Sequence, residues 1–309
     1  MCPVLVCNSR MATVAKSVPG ERLQVEGAPL PWKSVAWFGA LLLLCYAPVL
    51  YRLAQQWYND EDMGHGFFVP LVAGYIIWQR RDALAAVRLQ TNYWGLLVVL
   101  WGALQFMVGT LGANIFLART AFLVSLIGAI WFLCGTKVLK LLAFPLFLLC
   151  FMFPIPAIIY ARITLPLQLF ASWVAEQLLG MIGIPVFRSG NVLQLPSQTL
   201  SVVEACSGIR SLLSLSFLSL IYAYFFDSKV WMRWVLLIAT VPIAIAANAA
   251  RVTITGILSE YRADLAQGFF HLLEGWVLFG VAFALMILAH IAINRVYRWR
   301  HPVKETKNA

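Results

Sequence analysis

Eight apolar runs follow one another along the chain, separated by short polar or Gly/Pro-containing segments. Most approach the roughly 20 residues that an α-helix needs to cross the hydrocarbon core of a bilayer. The pattern predicts an all-α integral membrane protein, a polytopic bundle of about eight transmembrane helices, with seven or nine as the alternatives. The runs lie at about 34–54, 66–79, 94–114, 115–134, 138–157, 208–226, 233–255 and 272–294. The boundary between the third and fourth, at Gly112-Ala113-Asn114, is predicted to be a tight turn.

The longest segment between predicted spans is 158–207. Its first half is apolar but carries Arg162, Glu176 and Gln177, which favours an interfacial helix lying in the membrane surface over a ninth span. Its second half, VFRSGNVLQLPSQTLSVVEAC, places short β-branched runs between Ser-Gly-Asn and Pro. That arrangement predicts a short extended or hairpin element before the sixth span.

Polar segments flank the spans at both termini. Residues 1–33 contain Pro and Gly and lack the continuous apolar core of a signal peptide, so we expect a disordered cytoplasmic tail. Residues 34–294 form one multi-span membrane domain, and residues 295–309 form a basic cytoplasmic tail.

Composition and charge support this picture. Only 12% of residues are charged, against roughly 25% in soluble proteins. The net charge of +10 does not indicate nucleic-acid binding, because Lys and Arg lie between apolar runs rather than on one basic face. Their distribution follows the positive-inside rule with both termini in the cytoplasm. Segments 58–66 and 158–207 then fall on the outer face, and so does Arg119.

The predicted topology assigns the six cysteines to three locations: the cytoplasmic tail, the outer face and the spans. Cys2 and Cys7 lie in the cytoplasmic tail, and Cys206 is the only one expected at the outer aqueous face. We expect no disulfide there, and no spacing of His and Cys suits zinc, so no metal or cofactor is predicted. The other three fall within predicted spans, where a free cysteine behaves as a small apolar residue: Cys45, Cys134 and Cys150.

A polar motif, VVEACSGIRSL, surrounds Cys206. Cys206 precedes a span that begins near Gly208, and a helix N-terminus favours the thiolate form. Glu204 and Ser207 lie beside it as supporting candidates. The alternative is an ordinary cysteine packed at the interface.

A second polar position, Arg251, lies within an apolar run near the outer end of the seventh span. An arginine at that depth is costly and marks a functional candidate. Asn248 and Thr255 share its helix face. The alternative is an arginine that snorkels to the membrane surface.

The third candidate, His271, begins the outer end of the last span in HLLEGWVLFG. Glu274 could orient its ring, and Gly275 would allow close approach of another helix or a substrate. His65 in MGHGFF is a rival at the same face, and an ordinary interfacial histidine is the alternative for either. Together, a cysteine nucleophile, a histidine acid/base and an arginine that stabilises an anion suit acyl transfer.

EACSGIRSL, NAARV and HLLEG, in that order within an eight-span chain, resemble the exosortase/archaeosortase family over residues 34–294. The His65-Gly66 pair after the first outer loop also resembles that family. The resemblance implies that Cys206, Arg251 and His271 are the catalytic residues.

The resemblance further implies a cysteine protease and transpeptidase of the bacterial inner membrane. Such enzymes act on proteins with a C-terminal PEP-CTERM sorting tail, which holds a Pro-Glu-Pro motif, a membrane span and a basic end. They accompany exopolysaccharide and biofilm loci. The subtype and the acceptor, an amine or water, stay open. The acidic residue of the tail would need a basic partner, and the candidates on that face are Arg188, Arg210 and Arg262.

Two other functions fit parts of the pattern. A polytopic transporter would place polar residues near the membrane midplane, whereas here they gather at one face. A membrane acyltransferase would use the same thiol, Cys206, without a tailed protein substrate.

Overall fold

The computed structural model describes residues 32–202, 208–261 and 269–301, and only the backbone of residues 32, 61–62, 208–211 and 269–275. Within these residues the chain is almost entirely helical. A first 3-10 helix, Glu61–Phe67, follows the first α-helix, and a second, Leu149–Met152, follows the sixth. The α-helices are α1 Trp32–Asn59, α2 Phe68–Gln79, α3 Arg81–Ala85, α4 Trp94–Leu111, α5 Ile115–Cys134, α6 Thr136–Leu148, α7 Ala157–Ile182, α8 Gly208–Phe226, α9 Val230–Tyr261 and α10 Phe269–Arg300.

Every predicted span corresponds to an α-helix. Among the described residues, six segments are long and apolar enough to cross a membrane by length and composition. They are Lys33–Asn59, Trp94–Leu111, Ile115–Cys134, Ala157–Ile182, Val230–Tyr261 and Trp276–Arg300. The all-α polytopic architecture is thus confirmed, whereas the count of eight spans stays a prediction.

Two predicted spans are short helices that pack against each other. Helix α2 has 12 residues and α6 has 13, and α6 is prolonged by the second 3-10 helix. Val69 and Ile76 of α2 are fully buried in the same core cluster as Leu142 and Leu148. Short helices are tolerated here because neighbouring helices cover them.

Helices α4 and α5 form a tightly packed antiparallel pair built on glycines at seven-residue spacing. The turn between them matches the predicted one, since the side chain of Asn114 accepts a hydrogen bond from Leu117 N and caps α5. Gly95, Gly102 and Gly109 face α5 so closely that a Cβ at any of them would overlap atoms of Phe132, Ser125 or Ala118, respectively. Small residues allow such close approach of helices in membranes.

The last three helices, α8, α9 and α10, contact one another in all three pairings. One buried layer takes a single residue from each of them: Leu215, Ala244 and Ala282. A second layer, further along α8, combines Ala223 with Met286 and two residues of α9. The end of this bundle at which α8 begins is called the Gly208 end, and the opposite one the Asp227 end.

A buried carboxylate closes the Asp227 end. Asp227 Oδ2 lies 3.0 Å from His290 Nε2 and accepts a hydrogen bond of 2.9 Å from Asn294 Nδ2. The backbone N–H of Lys229 donates to Oδ1, and the hydroxyl of Tyr222 lies 3.0 Å from His290 Nδ1. Burial alone would raise the pKa of Asp227, but the hydrogen bonds from His290, Asn294 and Lys229, together with the Lys229 ammonium, lower it to about 2.

At the Gly208 end, an antiparallel sheet confirms the predicted extended element. Its order is β1-β2-β3, with β1 Phe187–Ser189, β2 Val192–Gln194 and β3 Thr199–Ser201. Leu193 of β2 pairs with Leu200 of β3. Both leucines are buried against α7 and α9.

Helix α7 meets other elements near both of its own ends. Tyr160, in its first turn, lines a cavity with Asp60 and Ile115. Leu179, near its last turn, packs against Gly256 of α9. Because α7 is also one of the six segments long and apolar enough to cross a membrane, its predicted interfacial position stays a prediction.

Because Gly102 has no room for a Cβ against Ser125, replacing it tests the α4–α5 packing. We expect Gly102→Ala to lower the free energy of unfolding by roughly 1–3 kcal/mol, the usual cost of overpacking. Gly39→Ala in α1 is the matched control, since no atom lies within 4 Å of a Cβ placed there. Thermal unfolding in detergent measures both; equal stability of the two variants would contradict the close α4–α5 contact.

Candidate functional site

The sequence-predicted site residues fall into three groups. Glu204, Cys206, Ser207 and Arg262 lie outside the described residues. For a second group the structure gives only the helical backbone: Gly208 and Arg210 at the start of α8, and His271 and Glu274 at the start of α10. Four are described in full: His65, Arg188, Asn248 and Arg251.

The backbone brings Arg251 and the His271 position to the end of the bundle at which Gly208 lies. From the shared layer of Leu215, Ala244 and Ala282, each helix runs on towards the Gly208 end. At 1.5 Å per residue, Gly208 and Arg251 lie about 10 Å beyond this layer, and His271 about 16 Å beyond it. Cys206 precedes Gly208 by two residues. Three mutually contacting helices therefore carry Gly208, Arg251 and the His271 position in the same direction from one layer.

Arg251 lies on α9 with its side chain half-buried, and Asn248, one turn earlier, is also half-buried. Along the same helix, Arg251 is about 27 Å from Arg233 near the Asp227 end. That separation approaches the ~30 Å thickness of a bilayer core. Thr255, on the same helix face as Arg251, is buried.

The sheet fixes the chain that leads into Cys206. Val202, fully buried just after β3, donates its backbone N–H to Asn191 O at 3.0 Å. The preceding loop is tied to α9, since Ser197 donates from N and Oγ to Glu260, and Gln198 donates to Ser259. The loop before β3 is therefore anchored to α9, and the sheet holds the backbone as far as Val202, four residues before Cys206.

His65 lies in the first 3-10 helix, against α8. Its Nδ1 is 3.3 Å from Ser214 Oγ, and its ring lies beside Phe217. Burial lowers the pKa of His65 below its ordinary value, and a hydrogen bond to the backbone of Phe151 offsets this in part. Its Nε2 is buried and has no hydrogen-bond partner among the described residues.

Arg188, one of the three basic candidates for substrate binding, is already paired. Its Nε donates to Glu176 Oε2 at 2.7 Å, and its Nη1 donates to Gly190 O. This ion pair joins β1 to α7. The sequence pattern had no means of assigning Glu176 as its partner, and the pairing makes Arg188 a weaker candidate for binding an acidic substrate.

Two features escaped the sequence-based prediction. Cys150, expected inside a span, lies in the second 3-10 helix with an exposed side chain, next to Met152, whose carbonyl accepts from Trp57 Nε1. Arg119, counted only as an outer-face charge, is a buried residue of α5 beside a cavity of about 370 Å³. An arginine inside the apolar run IFLARTAFLV was the signal that could have identified it.

No group of three or more His, Cys, Asp or Glu that could hold a metal ion occurs within the described ranges. What the Gly208 end offers chemically is a half-buried guanidinium and a partly buried imidazole beside the helix that follows Cys206.

Comparison with known proteins identifies the family. A model of the transmembrane exosortase family matches residues 57–288, a range that contains every site residue predicted from the sequence. Searches of curated proteins and of solved structures found no match. Because the matched range covers well over half of the 309 residues, the chain belongs to the transmembrane exosortase family.

Proposed function

We propose that this exosortase is a membrane-embedded cysteine endopeptidase and transpeptidase that cleaves PEP-CTERM-type tails through a thioester on Cys206. It would lie in the bacterial inner membrane with both termini in the cytoplasm and its active site at the periplasmic face. Protein sorting linked to exopolysaccharide and biofilm export is its expected setting. The observation that carries the proposal is the convergence of α8, α9 and α10 at the Gly208 end.

In the first step, the Cys206 thiolate attacks the scissile carbonyl of the tail. A bond forms between Sγ and the carbonyl carbon, and the carbon–nitrogen bond then breaks. The imidazolium of His271 donates a proton to the leaving amine, which departs with the membrane-spanning part of the tail. The retained part of the substrate stays on Cys206 as a thioester.

In the second step, His271 accepts a proton from an amine or from water as that acceptor attacks the thioester. The acceptor bonds to the carbonyl carbon, the carbon–sulfur bond breaks, and the thiolate is restored. An amine acceptor gives transpeptidation, and water gives hydrolysis. The step requires no group other than this acceptor.

Arg251 supports both steps electrostatically. Its half-buried position near the membrane boundary strengthens the field of its charge relative to that of an exposed arginine. A cation beside Cys206 would favour the thiolate and would stabilise the oxyanion that forms at the carbonyl. Asn248 and Glu274 are proposed to orient Arg251 and His271, respectively, from one turn away on the same helices.

His65 fits a positioning role better than an acid/base role. Ser214, which it contacts, lies six residues into α8, about 9 Å along the helix from Gly208. Burial lowers the pKa of His65 and so favours its neutral form. A neutral ring held between α8 and the second 3-10 helix would help to fix the start of α8.

Cleavage of a tailed protein tests the nucleophile. The substrate is co-expressed with each variant, and the cleaved product is quantified by immunoblot. We expect Cys206→Ala to abolish cleavage while the protein still accumulates in the membrane, because only a thiolate at this position forms the thioester. Cys150→Ala is the matched control, as it removes another free, exposed cysteine, and it should keep full activity. Full cleavage by Cys206→Ala would contradict the proposal.

The roles of His271 and His65 are distinguished by measuring, for each alanine variant, kcat on the same substrate and the unfolding temperature. We expect His271→Ala to lower kcat by roughly 10²–10⁴-fold with little change in stability, because general acid–base catalysis is worth about that factor. His65→Ala should mainly lower the unfolding temperature, since it removes the contact to Ser214. The reverse pattern, a dead but stable His65→Ala beside an active His271→Ala, would exchange their roles.

A further inference from the structure

Arg119 is a buried cation that forms no direct ion pair among the residues that the structure describes. Its side chain is only 6% exposed, in the second turn of α5. Nη1 donates to Gln56 Oε1 at 2.6 Å, whereas Nε has no hydrogen-bond partner in the described part of the chain. Burying a charge costs free energy unless an opposite charge or several hydrogen bonds accompany it.

A cavity of about 370 Å³ lies against this guanidinium. Its lining includes Arg119, Gln56 and Asp60, the hydroxyl-bearing Tyr160, and apolar residues of the 154–157 linker. That volume falls within the range of pockets that hold small ligands or a few side chains. The cavity therefore offers a buried cation inside a mostly apolar wall.

The cavity adjoins the candidate active site through two shared elements. Leu213, which lines it, precedes Ser214, the residue that contacts His65. Met63, which also lines it, lies two residues before His65 in the first 3-10 helix. Leu213 is about 8 Å along α8 from Gly208. A polypeptide held at Cys206 would therefore reach the cavity within a few residues.

The polar groups of the cavity favour a singly charged, planar anion. Gln56 Nε2 donates to Asp60 Oδ2 at 3.3 Å while Gln56 Oε1 accepts from Arg119, so one amide bridges a carboxylate and the guanidinium. Asp60 would repel a doubly charged phosphate in the same space about twice as strongly as a singly charged carboxylate. A carboxylate accepts two parallel hydrogen bonds from an arginine fork, and this pairing is strong where water is excluded.

We infer that Arg119 is a specificity-determining residue that binds the carboxylate of an acidic side chain in the substrate tail. This inference rests on the proposed function, because it takes a polypeptide tail as the substrate. The apolar linker, with Pro154 and Pro156, packs against the residues that flank the acid. Arg119 thus takes the role for which Arg188, Arg210 and Arg262 were the candidates predicted from the sequence.

Peptide binding tests the inference separately from catalysis. Two fluorescent tail peptides, one with Pro-Glu-Pro and one with Pro-Gln-Pro, are titrated against the purified full chain carrying Cys206→Ala. With Arg119 present, we expect the Glu peptide to bind roughly 10- to 100-fold more tightly, the usual worth of a charge-assisted hydrogen-bonded pair. Adding Arg119→Gln should bring the ratio of the two dissociation constants close to one.

Two further variants serve as controls. Arg188→Gln removes another arginine of the same end, one that Glu176 already pairs, and should keep the preference for Glu. Arg119→Lys keeps the charge without the planar fork and should give an intermediate ratio. Thermal unfolding in detergent shows whether Arg119→Gln folds. If it does not, Arg119→Lys replaces it in the test. A lysine variant that keeps the full wild-type ratio of the two dissociation constants would then overturn the arginine-specific pairing.

The remaining outcomes are equally decisive. A Glu preference that persists in Arg119→Gln, or that is absent from the chain with Arg119, overturns the inference. An equal loss of affinity for both peptides also overturns it and instead indicates a structural role or an anionic lipid headgroup in the cavity. A Glu preference that depends on Arg119, in a chain that cleaves no tailed protein, supports this inference and contradicts the proposed catalysis.

Discussion

The hydrogen-bonded cluster around Asp227 sets the geometry on which the candidate site depends. Asp227 lies between α8 and α9, and it is held by His290 and Asn294 of α10. These contacts fix how far α10 is shifted along α8 and α9, because sliding the helix by one turn would break both hydrogen bonds. The height of His271 at the opposite end follows from the same register. The buried carboxylate of Asp227 at one end thus sets the position of His271 relative to α8 and α9 at the other end.

The lipid environment explains why polar groups are concentrated at the two ends. Inside a bilayer, unsatisfied polar groups are costly, so helices pack through apolar layers and close contacts at small residues. The stripe of Gly95, Gly102 and Gly109 and the layer of Leu215, Ala244 and Ala282 follow this rule. Charged and reactive side chains are then tolerated best near the ends of the helices, and the backbone carries Arg251 and the His271 position to one such end, where Gly208 also lies.

Much of this architecture could be predicted from the sequence, because apolar runs of membrane-spanning length are a direct signal. Two of the runs, 115–134 and 208–226, match the bounds of α5 and α8. The turn at Asn114 and the extended element before Cys206 were also correctly predicted, since their Gly, Asn and Pro residues have local conformational causes. The 3-10 turn that holds Cys150 was not predicted, because apolar composition alone cannot separate such a turn from the helix that it prolongs, and the place of Cys150 within a span stays a prediction.

The pattern of apolar and polar residues along the sequence could not predict contacts between residues far apart in the chain. Asp227 and His290 are 63 residues apart, as are Gln56 and Arg119, and neither member of either pair signals its partner. The cavity beside Arg119 is formed by four separate segments of the chain that only the fold brings together. The charge counts assigned Arg119 to the outer face, which stays a prediction, and they missed that it is buried, because burial depends on which helices surround it.

The most direct measurement of the central claim is the detection of the covalent intermediate. Purified protein is mixed with a tailed substrate in the absence of added amine, quenched in acid and digested for peptide mass spectrometry. The account predicts a substrate-derived acyl group on the peptide that contains Cys206, and its removal by hydroxylamine. Cleaved product without any such adduct, or an adduct on Cys150 instead, would contradict it.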